Sequence, residues 1–130
     1  MISIAEFQNI HSDSSKMVVR KGASIPHHMS GVVINKKSET AYTINIESDT
    51  EDLEANSMIK VACTCDDFKF RWAAVLYQKD ALIKPTRFRL DPPKKTNPNM
   101  IVGGCKHINE YIIHVMSQKI KGFSKVKNKI

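Results

Sequence analysis

The chain has 130 residues, enough for one domain with a modest core, and 42% of them are hydrophobic. No apolar run is long enough to span a bilayer, and the start, M-I-S-I-A-E-F-Q-N-I, lacks the basic, apolar and small-residue regions of a signal peptide, so a reducing intracellular compartment without a membrane role is expected. The net charge of +7 is uneven: residues 1–65 hold 6 Lys/Arg against 8 Asp/Glu, whereas residues 66–130 hold 14 against 5. Such a basic half suits a polyanionic or acidic partner, either nucleic acid or an acidic protein face.

Taken in chain order, Ser3 can cap a short helix over Ile4 to Ile10, with Glu6 completing a capping box. Met17 to Arg20 reads as a short strand ended by Gly22, and Ile25-Pro26-His27-His28 as a loop. Gly31 to Asn35 is β-branched, Lys36 to Glu39 is a turn, and Ala41 to Ser48 alternates with Tyr42, Ile44 and Ile46 on one face. That period of two predicts a half-buried hairpin. Ser48 to Asn56 is acidic and turn-like, and Met58 to Cys63 is a further strand running into C-T-C.

Asp66 or Asp67 can cap a helix carrying Phe68, Trp72, Val75 and Leu76 at helical spacing, ending near Asp80 or Leu82. Between Pro85 and Gly104 lie four of the five prolines, and a connection this long is usually functional or docked on a partner. After Gly103-Gly104 comes C-K-H, then a second amphipathic helix with Ile108, Tyr111, Ile112, Val115 and Met116 on one face. Lys119 to Ile130 reads as a frayed helix end and a basic tail.

All three cysteines fall in two short pairs, Cys63/Cys65 and Cys105/His107, each with one residue between its donors. Three cysteines cannot all pair within a chain, and C-x-C is a poor disulfide geometry, so metal binding explains them better. Three thiolates and an imidazole complete a tetrahedral Zn2+ site of the closed, structural kind. His11, His27, His28 and His114 are expected to stand outside it.

This pattern resembles the SWIM-type zinc finger, C-x-C, an insertion, then C-x-H. The strands G-V-V-I-N, A-Y-T-I-N-I and M-I-K-V-A-C, the Asp67-Phe68 pair after C-x-C, and Cys105-Lys106-His107-Ile108 opening a helix extend the resemblance over about residues 31 to 117. It implies a metal-ligand role for Cys63, Cys65, Cys105 and His107. The insertion of 39 residues, Asp66 to Gly104, is long for the family. C-x-C-x-D-F-K-F-R-W, a T-N-P stretch and G-G-C-K-H together resemble small SWIM-like proteins of tailed bacteriophages, some of them encoded among virion genes.

No Gly-rich phosphate loop, H-E-x-x-H or Ser/His/Asp signature occurs, and His107-Ile108-Asn109-Glu110 is not the H-x-E of zinc deaminases, so no enzyme and no small-molecule substrate are expected. Arg87-Phe88-Arg89 followed by Lys94-Lys95 is the candidate binding segment, because Arg forks onto phosphate and Phe stacks on a base or fills a pocket. The alternative is a loop that packs Phe88 and Leu90 onto its own core and solvates the arginines.

The expected architecture is α+β: a small antiparallel sheet of three or more short strands, two main helices and one structural zinc. Residues 1–30 would be an N-terminal segment, 31–118 the zinc domain with its insertion 66–104, and 119–130 the tail. The expected role is a non-enzymatic binding module. Its partners would be other proteins of an assembly, such as virion neighbours, or alternatively nucleic acid.

Overall fold

Alternation of apolar and polar residues is converted into one sheet with one buried face. The computed structural model describes residues 1–4, 14–83, 97, 99–101 and 103–128. Within these the strands are β1 (Ile2–Ser3), β2 (Met17–Ile25), β3 (His28–Asn35), β4 (Ala41–Ser48) and β5 (Met58–Cys63), in the spatial order β1-β5-β4-β3-β2. Every neighbouring pair is antiparallel. The fold is therefore α+β, with a larger sheet than the minimum expected.

The period of two sets the faces. Met29 and Val33 of β3, Ile44 and Ile46 of β4, and Ile59, Val61 and Cys63 of β5 are all buried. Cys63 thus belongs to the same inward row as Ile59 and Val61, and it pairs in register with Ile44. A strand whose last inward residue is a cysteine delivers a sulfur to the edge of the core.

The turns follow their residue chemistry. The β3–β4 turn closes on Asn35, whose Oδ1 accepts the N–H of Lys37 at 3.0 Å and of Ser38 at 3.3 Å. Between β4 and β5, Asp49 Oδ1 accepts the Met58 N–H at 2.9 Å, and Leu53 is buried within an otherwise acidic stretch.

Two helical segments cover the buried face. The first begins at Asp66 and passes through a π-helical turn, Phe68–Trp72, into α1 (Ala73–Gln78). The second, α2 (Lys106–Asn128), packs against β2, β3, β4 and β5. Ile108, Tyr111, Ile112 and Val115 on α2 are buried, as their i, i+3, i+4, i+7 spacing predicts. No helix among the described residues is long and apolar enough to cross a membrane.

Several sequence expectations are corrected. β2 does not stop at Gly22 but continues to Ile25, with a register shift between Lys21 and Ser24 that absorbs the glycine as a bulge. Only Pro26 and His27 form the turn, and β3 starts at His28. His27 adopts a positive φ of 67°, which a tight hairpin demands. Ser3 lies in β1, paired with Met58, so it extends the sheet; Ile4 is helical, and the rest of the helix expected over Ile4 to Ile10 lies outside the described residues. The segment 1–30 thus supplies β1, β2 and the start of β3 to this same sheet.

The first helix ends at Gln78, earlier than Asp80 or Leu82, because the chain reverses at Asp80 (φ 53°). It then runs beside β5: Val61 N–H donates to Ala81 O at 2.9 Å, and Ile83 N–H to Val61 O at 3.0 Å. The outer edge of β5 is so occupied twice, by β1 at Ile59 and by Ala81–Ile83 at Val61. Residues 119–128, read as a frayed end and tail, continue α2 without a break.

Candidate metal centre

The four residues singled out by spacing come together. Cys63, Cys65, Cys105 and His107 each offer one donor atom, and these atoms all lie within 4.8 Å of one another. A tetrahedral ion with metal–sulfur bonds of about 2.3 Å needs donors separated by about 3.8 Å, so the cluster has the size of such a shell. All four side chains are buried, from 0% exposure at Cys105 to 4% at Cys63, and the three cysteines form no disulfide.

Local structure explains how each donor is aimed. C-T-C continues the β5 ladder by one residue: Thr64 N–H donates to Thr43 O at 3.3 Å, and Thr43 N–H donates to Thr64 Oγ1 at 3.0 Å. Thr64 is exposed and splints the strand end, while the cysteines on either side of it point inward. Cys65 then opens the helical segment. Its carbonyl accepts the Lys69 N–H at 3.3 Å, and its Sγ accepts the Phe68 N–H at 3.3 Å.

The cap is therefore the candidate ligand Cys65 itself, which corrects the expectation that Asp66 or Asp67 would serve. Asp67 makes no cap hydrogen bond. It accepts instead from Trp72 Nε1 at 3.1 Å and pairs with Arg71 Nε at 3.0 Å. Cys105 plays the matching role at the second helix: it immediately precedes α2, and its carbonyl accepts the Asn109 N–H at 3.2 Å. Two helix N-termini thus converge on the sulfurs, and their unpaired N–H groups and dipoles favour negative charge there.

The titration pattern reflects three sulfurs in one dry pocket. Thiol contacts from Cys105, then from Cys63, hold Cys65 far below the usual thiol range against the opposing effect of burial. Burial, followed by contacts with Cys63 and Cys65, pushes Cys105 well above that range. At Cys63 the Cys105 contact pulls downward, but the contact with Cys65 and burial outweigh it, leaving the thiol pushed up to about 12. One thiolate with two neutral neighbours is what mutual repulsion allows. A cation among them would favour all three thiolates at once.

His107 supplies the clearest test of fit. Both ring nitrogens are buried, and neither has a hydrogen-bond partner among the described residues. A buried polar atom left so costs about 1–3 kcal/mol, and a ring nitrogen beside three sulfurs is relieved by coordinating the same ion. The Tyr42 ring holds the imidazole from one side, with centroids 4.3 Å apart and planes inclined by 35°. The donor set, its burial and the orphaned nitrogens all fit a metal ion.

The other histidines stand apart. His27 Nδ1 lies 3.1 Å from Ser48 O, and His28 Nε2 lies 3.2 Å from Asn45 Oδ1. His114, on α2, is not in the cluster, and His11 lies outside the described residues. So do Arg87, Phe88, Arg89, Lys94 and Lys95, the candidate binding segment.

Sequence reasoning did not single out three residues around the site. Thr64 is visible only as the x of C-x-C. Gly103 is needed because a Cβ there would stand 2.9 Å from Trp72 Cζ3. Asn97, 5% exposed, bridges the insertion to the helix that follows Cys65. Asn97 stands in the sequence only as the middle of a T-N-P stretch, and nothing there shows which carbonyl it would reach. No protein-family model matches the chain, and neither a curated protein nor a solved structure is significantly similar to it.

Proposed function

We propose that the chain is a non-enzymatic, zinc-stapled binding module of the SWIM type. In this reading it docks among the proteins of an assembly, a tailed-phage virion being the setting its motif resemblance suggests. The observation that carries the metal part is the convergence of Cys63, Cys65, Cys105 and His107 within 4.8 Å, with neither His107 nitrogen hydrogen-bonded among the described residues. Three soft sulfurs and one imidazole favour zinc over the hard oxygen-seeking cations. When bound, zinc supplies cross-linking rather than reaction chemistry, because four protein donors fill a tetrahedral shell and leave no position for a substrate.

The protein groups do the rest. Cys63 and Cys65 fix the end of β5, Cys105 and His107 fix the start of α2, and the 39 residues between the pairs are carried on that frame. The binding role rests on this insertion, where Arg87-Phe88-Arg89 and Lys94-Lys95 offer cations and an aromatic ring. The excess of 14 Lys/Arg over 5 Asp/Glu after residue 65 favours a second reading, a nucleic-acid-binding adaptor.

Native mass spectrometry with and without chelator tests the metal. One zinc per chain is expected, and a chain that takes up none sinks the reading. Arg87→Ala with Arg89→Ala separates the partners. In the protein-docking reading the variant folds but no longer copurifies with particles. In the nucleic-acid reading the wild type binds DNA with an affinity that falls steeply with salt.

A further inference from the structure

A closed circuit of contacts links the two ligand pairs through the insertion. It starts at Cys65, whose Sγ holds the Phe68 N–H and so sets the first turn of the helical segment. That turn is π-helical: the Ala73 N–H reaches back to Phe68 O, one residue further than in an α-helix. Such bulges recur at functional sites. Here Arg71 O is taken by Asn97 Nδ2 at 3.0 Å.

Asn97 is built for this contact. Its Nδ2 also donates to Ile101 O at 3.0 Å, its Oδ1 accepts the Ile101 N–H at 3.0 Å, and its own carbonyl accepts the Met100 N–H at 3.1 Å. Both amide groups of the side chain are used, which fixes its orientation. From Ile101 the chain reaches Gly103, which lies against the Trp72 ring at the end of the π turn, and two residues later Cys105. The circuit thus runs Cys65, π turn, Asn97, Gly103, Cys105. Asn97 touches no ligand, yet it joins the segment leaving one ligand pair to the segment entering the other.

We propose that Asn97 is a positioning residue of the metal centre: by clamping the π turn to the approach of Cys105, it holds the two ligand pairs at metal-binding separation. This rests on the zinc reading given above. It makes metal retention depend on how the end of the insertion is seated, so a partner that pulls on the insertion would loosen the ion, and zinc would tighten the insertion's base in return.

The test is the rate at which zinc passes from the loaded full chain to an excess of chromophoric chelator. Asn97→Asp keeps an acceptor for the Ile101 N–H but cannot donate, and its carboxylate would face the carbonyls of Arg71 and Ile101. Release about tenfold faster than in the wild type is expected, together with faster amide exchange at Phe68 and Ile101 in the loaded protein. Leu53→Val, in the connection preceding β5, controls for a general loss of stability and should leave the release rate near wild type. Should Asn97→Asp fail to fold, Asn97→Ser takes its place. A wild type that binds no zinc overturns the metal reading itself. A wild type that binds one zinc, with an Asn97 variant that releases it no faster than the Leu53→Val control, overturns the coupling alone.

Discussion

Tyr111 of α2 rests on Gly31 of β3 so closely that a single methyl group at position 31 would overlap Tyr111 Cε2 and stand 2.7 Å from Arg20 O. The same ring donates its hydroxyl to Ser30 O at 2.9 Å. Helix and sheet are thereby fixed at one point, one turn of α2 beyond His107. The seating of Tyr111 fixes α2 one turn from His107, so the hydrophobic core and the candidate metal centre are built on the same contact.

Gly31→Ala should therefore be costly although it adds only one carbon. The ring cannot yield without losing its hydrogen bond, and the Arg20 carbonyl is backbone. Overpacking of this kind costs about 1–3 kcal/mol, and two unyielding neighbours place the expected loss at the upper end. Chemical denaturation of the metal-loaded protein measures it; a variant within about 0.5 kcal/mol of wild type would show that the contact relaxes freely.

Tyr111 also sets an alkaline limit. Burial raises its phenol above the ordinary value of about 10. A group whose pKa is raised by folding contributes stability that is complete below the unfolded value and is lost as pH rises through the folded one. The protein should weaken from about pH 10 upward. The stability difference between wild type and Tyr111→Phe, followed by denaturation across that range, should shrink with rising pH. A constant difference would mean that the phenol is not shielded.

Much of this was legible in the residues, for physical reasons that differ by element. The β3–β4 hairpin and β5 were readable because one face is buried, so alternation had to appear, and α2 because its stripe repeats at helical spacing. The clustering of Cys63, Cys65, Cys105 and His107 was readable because two pairs of donors at fixed spacing leave few other uses for three cysteines. What stayed hidden depends on contacts distant in sequence. β1 is two residues long and exists only because Met58 and Ile59 offer an edge. Ala81–Ile83 acquires strand-like pairing only from Val61. Asp67 has the chemistry of a cap, yet Cys65 takes the position because the sulfur already lies at the helix start and Trp72 and Arg71 claim the carboxylate.

Removal of a ligand and removal of the metal should act alike. Cys105→Ser deletes a donor at a fully buried position and leaves a hydroxyl among two sulfurs and an imidazole. For a small domain closed by zinc, metal binding is folding free energy of about 10 kcal/mol or more. Wild type in excess chelator and Cys105→Ser in excess zinc should both lose near-UV circular dichroism and α2 protection. Retention of both signals without metal would show that the sheet and helices hold without the staple.

Acid should release the ion. In the metal-free chain Cys63 is pushed up to about 12 and Cys105 well above the usual thiol range, so both are protonated near neutral pH. Each must lose its proton to ligate, and protons therefore compete with metal. With two protons displaced, affinity should fall about a hundredfold for each unit of pH below neutrality. Competition titrations between about pH 6 and 8 report the slope, and a pH-independent affinity would exclude thiolate ligation by this pair.

Tyr42 offers the sharpest single-residue test of how the imidazole is held. Its ring lies 4.3 Å from that of His107 at an inclination of 35°, against a candidate ligand with no hydrogen bond to orient it among the described residues. Metal-binding histidines are usually oriented through the nitrogen that does not ligate; here neither nitrogen has a partner among the described residues, so the aromatic face would take over that task. Aromatic pairs of this kind contribute about 0.5–1.5 kcal/mol beyond their buried area. On the zinc reading, Tyr42→Ala should thus weaken metal binding by about threefold to tenfold, through freedom of the imidazole rather than loss of a donor. Tyr42→Phe keeps the ring and should restore the affinity, since the hydroxyl plays no part in the contact. Competition with a chromophoric chelator distinguishes the two variants. Equal affinities for Tyr42→Ala and wild type would mean that the backbone of α2 alone orients His107.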